Sequence, residues 1–123
     1  LISMIRKENK NIEIVIVPGP GEVVEASSFD AQIILDGNQS TNFFQLAKIL
    51  SESLFVVSND TGPAHIAAHL GCSGLALFGS HTSSRKVSIK TDHFDVIESK
   101  DLTDITVNQV FNKIQLHLQL EDI

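Results

Sequence analysis

The sequence predicts an α/β fold in which helices cover both faces of a parallel sheet. Short runs of β-branched and apolar residues alternate with helical patterns, and most of these runs end at a glycine or proline turn. Such alternation favours a parallel sheet with right-handed crossovers. With 123 residues the chain is long enough for a core of its own, and we expect a single domain over 1–123.

The strands are predicted from apolar runs that stand between turn residues. The first follows this pattern as Ile-Glu-Ile-Val-Ile-Val before a Pro-Gly-Pro-Gly turn, and Phe94 to Ile97 is expected to be an edge strand. A short helix is expected over 22–28. The predicted strands are 12–17, 30–35, 54–58, 75–78 and 94–97.

The longer helices are predicted from their end signals. Asn42 is a good N-cap for a helix over 43–52, and Pro63 and Gly71 frame a helix over 63–70. Thr106-Val-Asn-Gln109 is a capping box that starts a C-terminal amphipathic helix. The apolar stripes of the first and last of these helices are expected to face the core. They consist of Phe43, Leu46, Ala47 and Leu50, and of Val107, Val110, Phe111, Ile114 and Leu118.

Composition and charge restrict the partners and the compartment. The net charge of −6 argues against nucleic acid as the main partner, which needs clustered Lys and Arg. The single cysteine, Cys72, excludes an internal disulfide, fits a reducing cytosol, and is expected to be a packing residue rather than a nucleophile. No apolar run reaches the roughly 18 residues of a membrane span, and no signal peptide opens the chain. Since the chain starts at Leu1 without a capping signal, we expect a fragment of a longer protein.

The strongest functional signal is the Asp60-Thr-Gly-Pro turn between a predicted strand and a predicted helix. This arrangement puts free backbone N–H groups and a positive helix end at the carboxyl edge of a sheet, which favours an anion, most often a phosphate. The N–H groups of Thr61, Gly62 and Ala64 would face the ligand, and Gly62 has no Cβ to block its approach. The alternative is that Asp60 or Thr61 only caps the helix.

Two histidines lie on the same predicted helix. His65, on the first turn, could donate a hydrogen bond to a phosphate oxygen, or it could be an ordinary surface histidine. His69 lies one turn further on, and we expect it to pack against the sheet or an adjacent loop. A His-x-x-x-His pair can bind zinc, but no third ligand follows and the metalloprotease Glu is absent, so we expect no metal.

Two further loops carry weaker signals. Gly19-Pro-Gly-Glu22 follows the first strand; its glycines could admit a ligand, and Glu22 could accept hydrogen bonds from ribose hydroxyls. A simple turn is the alternative. The polar loop over 80–86 contains Arg85 and Lys86, which could screen a diphosphate or could belong to a solvated loop.

Taken together, residues 55–71 and Leu75-Ala-Leu-Phe-Gly79 strongly resemble the glycosyltransferase family 9 heptosyltransferases, the ADP-heptose:lipopolysaccharide heptosyltransferases of Gram-negative bacteria. Weaker similarity extends over 17–22, 41–58 and 104–110. The resemblance implies a GT-B enzyme with two Rossmann-like halves and an active site between them. The chain resembles the C-terminal half, which holds the nucleotide-sugar donor.

The resemblance also implies roles for single residues. By motif match, contacts to the donor would come from Thr61, Gly62 and His65 at the diphosphate, Asp60 at the sugar or phosphate, Glu22 near the ribose, and the backbone around Thr41 near the adenine. The family's usual Gly-Pro-Thr after the fourth strand is Gly79-Ser-His-Thr82 here, which is a departure from the pattern. A basic residue that the family uses on the donor would precede residue 1. The catalytic base would belong to the N-terminal half, so the catalytic residue is unknown, and no metal or cofactor is implied.

The implied activity is transfer of heptose, or a related sugar, from an ADP-sugar to a lipopolysaccharide core acceptor bound through the N-terminal half. The implied location is cytoplasmic, with peripheral attachment at the inner face of the inner membrane as one possibility. Two alternatives stay open. One is a nucleotide-binding module without catalysis. The other is half of a GT-B-related nucleotide-sugar epimerase, which would prefer a UDP-sugar.

Overall fold

The computed structural model describes residues 1–59, 62–79 and 90–121, with side chains through Leu118. Helices and strands alternate, and the named strands pair in parallel, which confirms the predicted α/β class. The chain divides into two compact units, Leu1–Leu46 and Ala47–Ile123. The elements are α1 (Ile2–Glu8), β1 (Val15–Ile16), α2 (Val23–Ala26), β2 (Gln32–Ile33), α3 (Phe43–Ser51), β3 (Val56–Asn59), α4 (Gly62–His69), β4 (Gly74–Phe78), β5 (Phe94–Glu98), a 3₁₀ helix (Leu102–Asp104) and α5 (Val107–Glu121).

The first unit contains a two-stranded parallel sheet. Its ladder pairs Val15 with Gln32 and Ile16 with Ile33, so the predicted strands are present but shorter than their apolar runs. Helix α1 was not predicted, because Leu1 offers no side-chain cap to mark its start. Burial of Ile5 and the basic residues in its last turn stabilise this helix instead.

The second unit contains a three-stranded parallel sheet in the order β3-β4-β5, with β5 at the edge as predicted. The central strand lies in the core, since its Leu75, Ala76 and Phe78 are fully buried, as is Phe94 of β5. Helix α4 packs on β3 and β4. Its buried residues are all alanines, which let the helix backbone approach the sheet closely; they are Ala64, Ala67 and Ala68.

The predicted caps of α3 and α5 and the predicted glycine after α4 are confirmed, whereas α4 begins at Gly62, one residue before its predicted start at Pro63. At α3, Asn42 Oδ1 accepts from the Gln45 N–H and Gln45 Oε1 accepts from the Asn42 N–H, each at 2.8 Å. Thr106 and Gln109 make the same reciprocal pair at α5, at 3.1 and 2.7 Å. Gly71 has φ +76° just past α4, and the N–H groups of residues 71 and 72 bond to the carbonyls of Ala68 and Ala67. This is the Schellman pattern, which needs a residue in the left-handed region.

The predicted core stripes are partly wrong at their N-terminal ends. Phe43 is 60% exposed and Val107 is 49% exposed, whereas Leu50, Val110, Ile114 and Leu118 are buried. Both exposed residues are the first of their helices. A helical side chain leans towards the preceding turn, so at the first position it extends past the end of the packed face. The Phe43 ring instead lies edge-on to the exposed Phe44 ring, with centroids 5.6 Å apart.

Cys72 is a packing residue, as predicted. Its buried S–H donates to the Leu50 carbonyl oxygen at 3.3 Å. Burial raises the pKa of the thiol and outweighs a hydrogen bond from its own backbone that lowers it. The thiol therefore stays protonated at neutral pH, which is the opposite of what a nucleophilic thiolate needs.

Among the described residues, no helix combines the length and the apolar character that crossing a bilayer requires.

An ion pair connects helix α5 to the edge strand β5. Lys113 Nζ donates to Asp95 Oδ2 at 2.7 Å, and Lys90 Nζ lies 3.9 Å from Asp95 Oδ1. Partial burial acts to raise the pKa of Asp95. The hydrogen bonds from Lys113 and from the Val96 N–H, with the charges of Lys113 and Lys90, outweigh burial and lower that pKa below its ordinary value.

We predict that Gly74→Ala destabilises the protein by about 1–3 kcal/mol through overpacking. Gly74 lies between Val56 and Phe94 in the parallel ladder. A Cβ there would collide with the ring of the fully buried Phe94 and lie 2.6 Å from the Val56 carbonyl oxygen. Thermal unfolding measures the loss. Gly79→Ala is the control, because its Cβ would make an ordinary 3.5 Å contact with Leu102 Cγ. Equal stability of the two variants would contradict this packing.

We also predict that Asp95→Asn lowers stability at neutral pH by no more than about 1 kcal/mol, since both side chains of the Asp95–Lys113 pair are more than 40% exposed. Because folding lowers the pKa of Asp95, its contribution is present above the ordinary value of about 3.9 and is lost as pH falls through the folded value. The difference in Tm between parent and variant should therefore shrink below about pH 4. The exposed Asp92→Asn is the control. A difference that stays constant down to pH 2 would show that the ion pair is not its cause.

Candidate functional site

The carboxyl edge of the three-stranded sheet is where the predicted anion site begins. In register, Asn59 of β3 pairs with Leu77 of β4, which pairs with Ile97 of β5, so all three strands end together. Helix α4 begins at Gly62, three residues after the last residue of β3. The first turn of α4 therefore starts at this edge, where open α/β sheets bind their ligands.

Gly62 keeps the backbone at the start of α4 open. The residue is exposed, and within the described ranges no atom beyond its chain neighbours and its own helix backbone lies within 4 Å of the position that a Cβ would occupy. The first four N–H groups of a helix have no carbonyl partner within that helix, and the helix dipole is positive there. Gly62 itself thus presents no side chain to an anion that approaches its backbone.

The two histidines of α4 differ in their exposure. His65 is half-buried on the first turn, while His69 is exposed at the last residue of the helix. The expectation that His69 packs against the sheet or a loop is therefore wrong. The buried alanines occupy one stripe of α4, and at 100° per residue position 69 lies almost opposite that stripe whereas position 65 lies at its flank.

Among the residues that the structure describes, no three His, Cys, Asp or Glu side chains come together as a metal site would require.

The turn after β1 carries Glu22. The Glu22 N–H donates to the Gly19 carbonyl at 3.1 Å, with Pro20 and Gly21 between them and Gly21 at φ +79°. Proline at the second position and a positive-φ glycine at the third are the pattern of a type II turn. The exposed Glu22 carboxylate also accepts from the Gly19 N–H at 2.9 Å. The predicted turn is present, and its carboxylate has a defined position.

Thr41 is half-buried and immediately precedes the Asn42 cap of α3. Thr41 and Glu22 belong to the first unit, and Gly62 and His65 belong to the second. Four candidate residues lie outside the described residues: Asp60, Thr61, Arg85 and Lys86. The same is true of residues 80–82, which follow Gly79 in the segment that departs from the family's Gly-Pro-Thr. Their roles therefore stay predictions.

The prediction overlooked polar residues at the carboxyl edge and the contact made by Gly19. Asn59 and Glu98 are exposed at the ends of β3 and β5, and a polar residue closing an apolar strand is the signal that could have identified them. The Gly19–Glu22 contact has a signal too, because a Pro-Gly pair inside a turn brings its first and fourth residues together.

The structure also has an open groove of about 450 Å³ in the second unit. It is lined by Val96, Ile97, Gln109, Asn112, Lys113 and Leu116. Among the described residues that line it, Lys113 is the cation and is already bonded to Asp95, and the others are apolar or neutral. An anion that entered this groove would therefore have to compete with Asp95 for Lys113.

Comparison with known proteins gives one family and one fold. The sequence model of glycosyltransferase family 9 (heptosyltransferase) matches residues 8–104, more than three quarters of the chain. Among solved structures, the E. coli heptosyltransferase WaaC with ADP is similar over 96% of this chain, with a TM-score of 0.71 and 21% identity. The chain spans 37% of the WaaC chain. A comparison with curated protein sequences finds no match. The α/β fold is thus similar to that of the heptosyltransferase WaaC, and the extent of the family match shows that the chain belongs to glycosyltransferase family 9.

Proposed function

We propose that this chain is the donor-binding part of a heptosyltransferase and that it holds the diphosphate of an ADP-sugar at the start of α4. The observation that carries the proposal is the junction of β3 and α4. A helix that begins with an open glycine at the carboxyl edge of a parallel sheet lies inside the segment that matches family 9. The fold likeness to WaaC, a structure with ADP, supports ADP as the nucleotide.

The chemistry of sugar transfer fits such a site. When the bond between the anomeric carbon and the diphosphate breaks, negative charge develops on the leaving diphosphate oxygens. Backbone N–H groups at a helix N-terminus can stabilise this charge without reorganising, and so can a hydrogen bond from the His65 imidazole. In this proposal the Thr61 hydroxyl adds a further donor, Asp60 lies at the sugar or phosphate, and no metal takes part.

Two further residues are proposed for the nucleoside end of the donor. We propose that Glu22 accepts hydrogen bonds from the ribose hydroxyls and that the backbone around Thr41 lies near the adenine. An exposed carboxylate with a fixed position suits the first role, because it can accept from two neighbouring hydroxyls at once.

The acceptor side lies outside this chain in the proposal. The acceptor is a hydroxyl of the lipopolysaccharide core, which a base in the remaining part of the enzyme deprotonates as it attacks the anomeric carbon. The donor sugar is heptose or a related sugar. Incubating the purified chain with ADP-heptose and a core acceptor, with and without the remainder of the enzyme, tests this division of labour. Turnover by the chain alone at the rate of the whole enzyme would contradict it.

We predict that His65→Ala weakens ADP binding by about 10- to 150-fold, the effect of losing one hydrogen bond to a charged group, about 1.5–3 kcal/mol. The Tm should change little, because His65 is only half-buried and lies beside the alanine stripe of α4 rather than within it. Calorimetric titration with ADP and thermal unfolding measure the two quantities.

His69→Ala is the matched control. It removes the same side chain from the same helix, one turn away and exposed, so both ADP affinity and Tm should stay near the parent values. Parent-like ADP binding by His65→Ala would remove the main side-chain support for the diphosphate site. Tighter binding of UDP than of ADP by the parent would favour the epimerase alternative.

A further inference from the structure

The Gly19–Glu22 turn has a feature that a simple turn does not need. Two hydrogen bonds join the same two residues. The backbone bond from the Glu22 N–H to the Gly19 carbonyl closes the turn, and the second bond runs from the Gly19 N–H to Glu22 Oε1 at 2.9 Å. The side chain thus folds back over the start of its own turn, and its carboxylate is held at one place.

The absence of a side chain at residue 19 is what allows this pose. A Cβ built on Gly19 would lie 2.5 Å from Glu22 Oε1 and 3.7 Å from Glu22 Cδ. The carboxylate therefore occupies the space in which a side chain at residue 19 would begin. The clash is with the far end of a flexible side chain, so the carboxylate can move away at small cost to the fold.

Backbone conformation does not account for the glycine at residue 19. The glycines with positive φ are Gly21, Gly37 and Gly71, and Gly19 is not among them. A residue that precedes a proline is held in the extended region, which alanine adopts as readily as glycine. The contact with the Glu22 carboxylate is thus the feature of the structure that a side chain at residue 19 would disrupt.

The held carboxylate retains capacity for a ligand. An ionised carboxylate offers about four acceptor positions, and the Gly19 N–H uses one of them. Within the described part of the chain, Glu22 Oε2 makes no hydrogen bond, and the residue is exposed. A pair of neighbouring hydroxyls on one ligand could donate to the two carboxylate oxygens in a fixed geometry, and a ribose presents such a pair.

We propose that Gly19 is a positioning residue that aims the Glu22 carboxylate at the ribose hydroxyls of the bound nucleotide and so makes the protein select ribonucleotides over deoxyribonucleotides. This inference rests on the proposed function, because it assumes that the site takes a nucleotide. Gly19 acts through Glu22 and through the space it leaves open. Its replacement should therefore affect recognition of the hydroxyls and leave recognition of the phosphates intact.

The test compares ADP with 2′,3′-dideoxy-ADP, which lacks both hydroxyls, by calorimetric titration of the parent chain and its variants. For the parent we expect ADP to bind roughly ten- to a hundredfold more tightly than the dideoxy compound, as for hydrogen bonds to a charged group. In both Gly19→Ala and Glu22→Ala, the ratio of the affinity for ADP to the affinity for dideoxy-ADP should fall to a few-fold at most. Affinity for dideoxy-ADP and the Tm should remain close to the parent values.

The double variant distinguishes positioning from an independent effect. If Gly19 acts only through Glu22, Gly19→Ala should change nothing further in the Glu22→Ala background. Glu25→Ala, which removes an exposed carboxylate from α2, the short helix that follows Glu22, is the control and should keep the parent ratio.

Three results would overturn the proposal. A parent-like ratio in Gly19→Ala, with Glu22→Ala losing it, would overturn the role of Gly19 and leave the proposed function intact. If Gly19→Ala and Glu22→Ala lowered this ratio additively in the double variant, the role of Gly19 would likewise be overturned and the proposed function would remain. No binding of ADP by the folded parent would overturn the proposed function, and this inference with it.

Discussion

The parallel register of β3, β4 and β5 is the constraint on which the proposed site depends. Because β3 and β4 are parallel and end at the same edge, α4, which follows β3 in the chain, has to return across the sheet to the start of β4. The start of α4 is thereby fixed at the carboxyl edge. The same topology that closes the core thus also puts a positive helix end where a ligand can reach it.

Small residues make this arrangement compact. Ala64, Ala67 and Ala68 let α4 lie close to β3 and β4, and Gly74 leaves room for the buried ring of Phe94. A glycine also saves space at the proposed ligand site, because Gly62 places no side chain on the first turn of α4. Large side chains at these positions would move the helix or cover its end, so the core and the site depend on similar choices of residue.

Local sequence signals predicted much of this structure. The errors arose where the exposure of a residue depends on how its helix packs in the tertiary structure. The Asn42 and Thr106 caps were predictable because their partners lie three residues away. Helix α1 has no such cap, and the exposure of Phe43 and His69 depends on which face of each helix packs, which apolar spacing alone misjudged at the helix ends. The family resemblance was predictable from the β3–α4 segment. The contact between Gly19 and Glu22 was not, because it depends on a side-chain conformation.

The most direct test is to measure backbone amide chemical shifts by NMR while ADP is added to the isotope-labelled chain, with adenosine as the control. If the diphosphate lies at the start of α4, ADP should give its largest shift changes at the N–H groups of Gly62 and Ala64, and adenosine should leave those two signals in place. The contrary result would be saturable ADP shifts at Val96, Ile97 and Lys113 in the groove beside α5, with Gly62 and Ala64 unchanged.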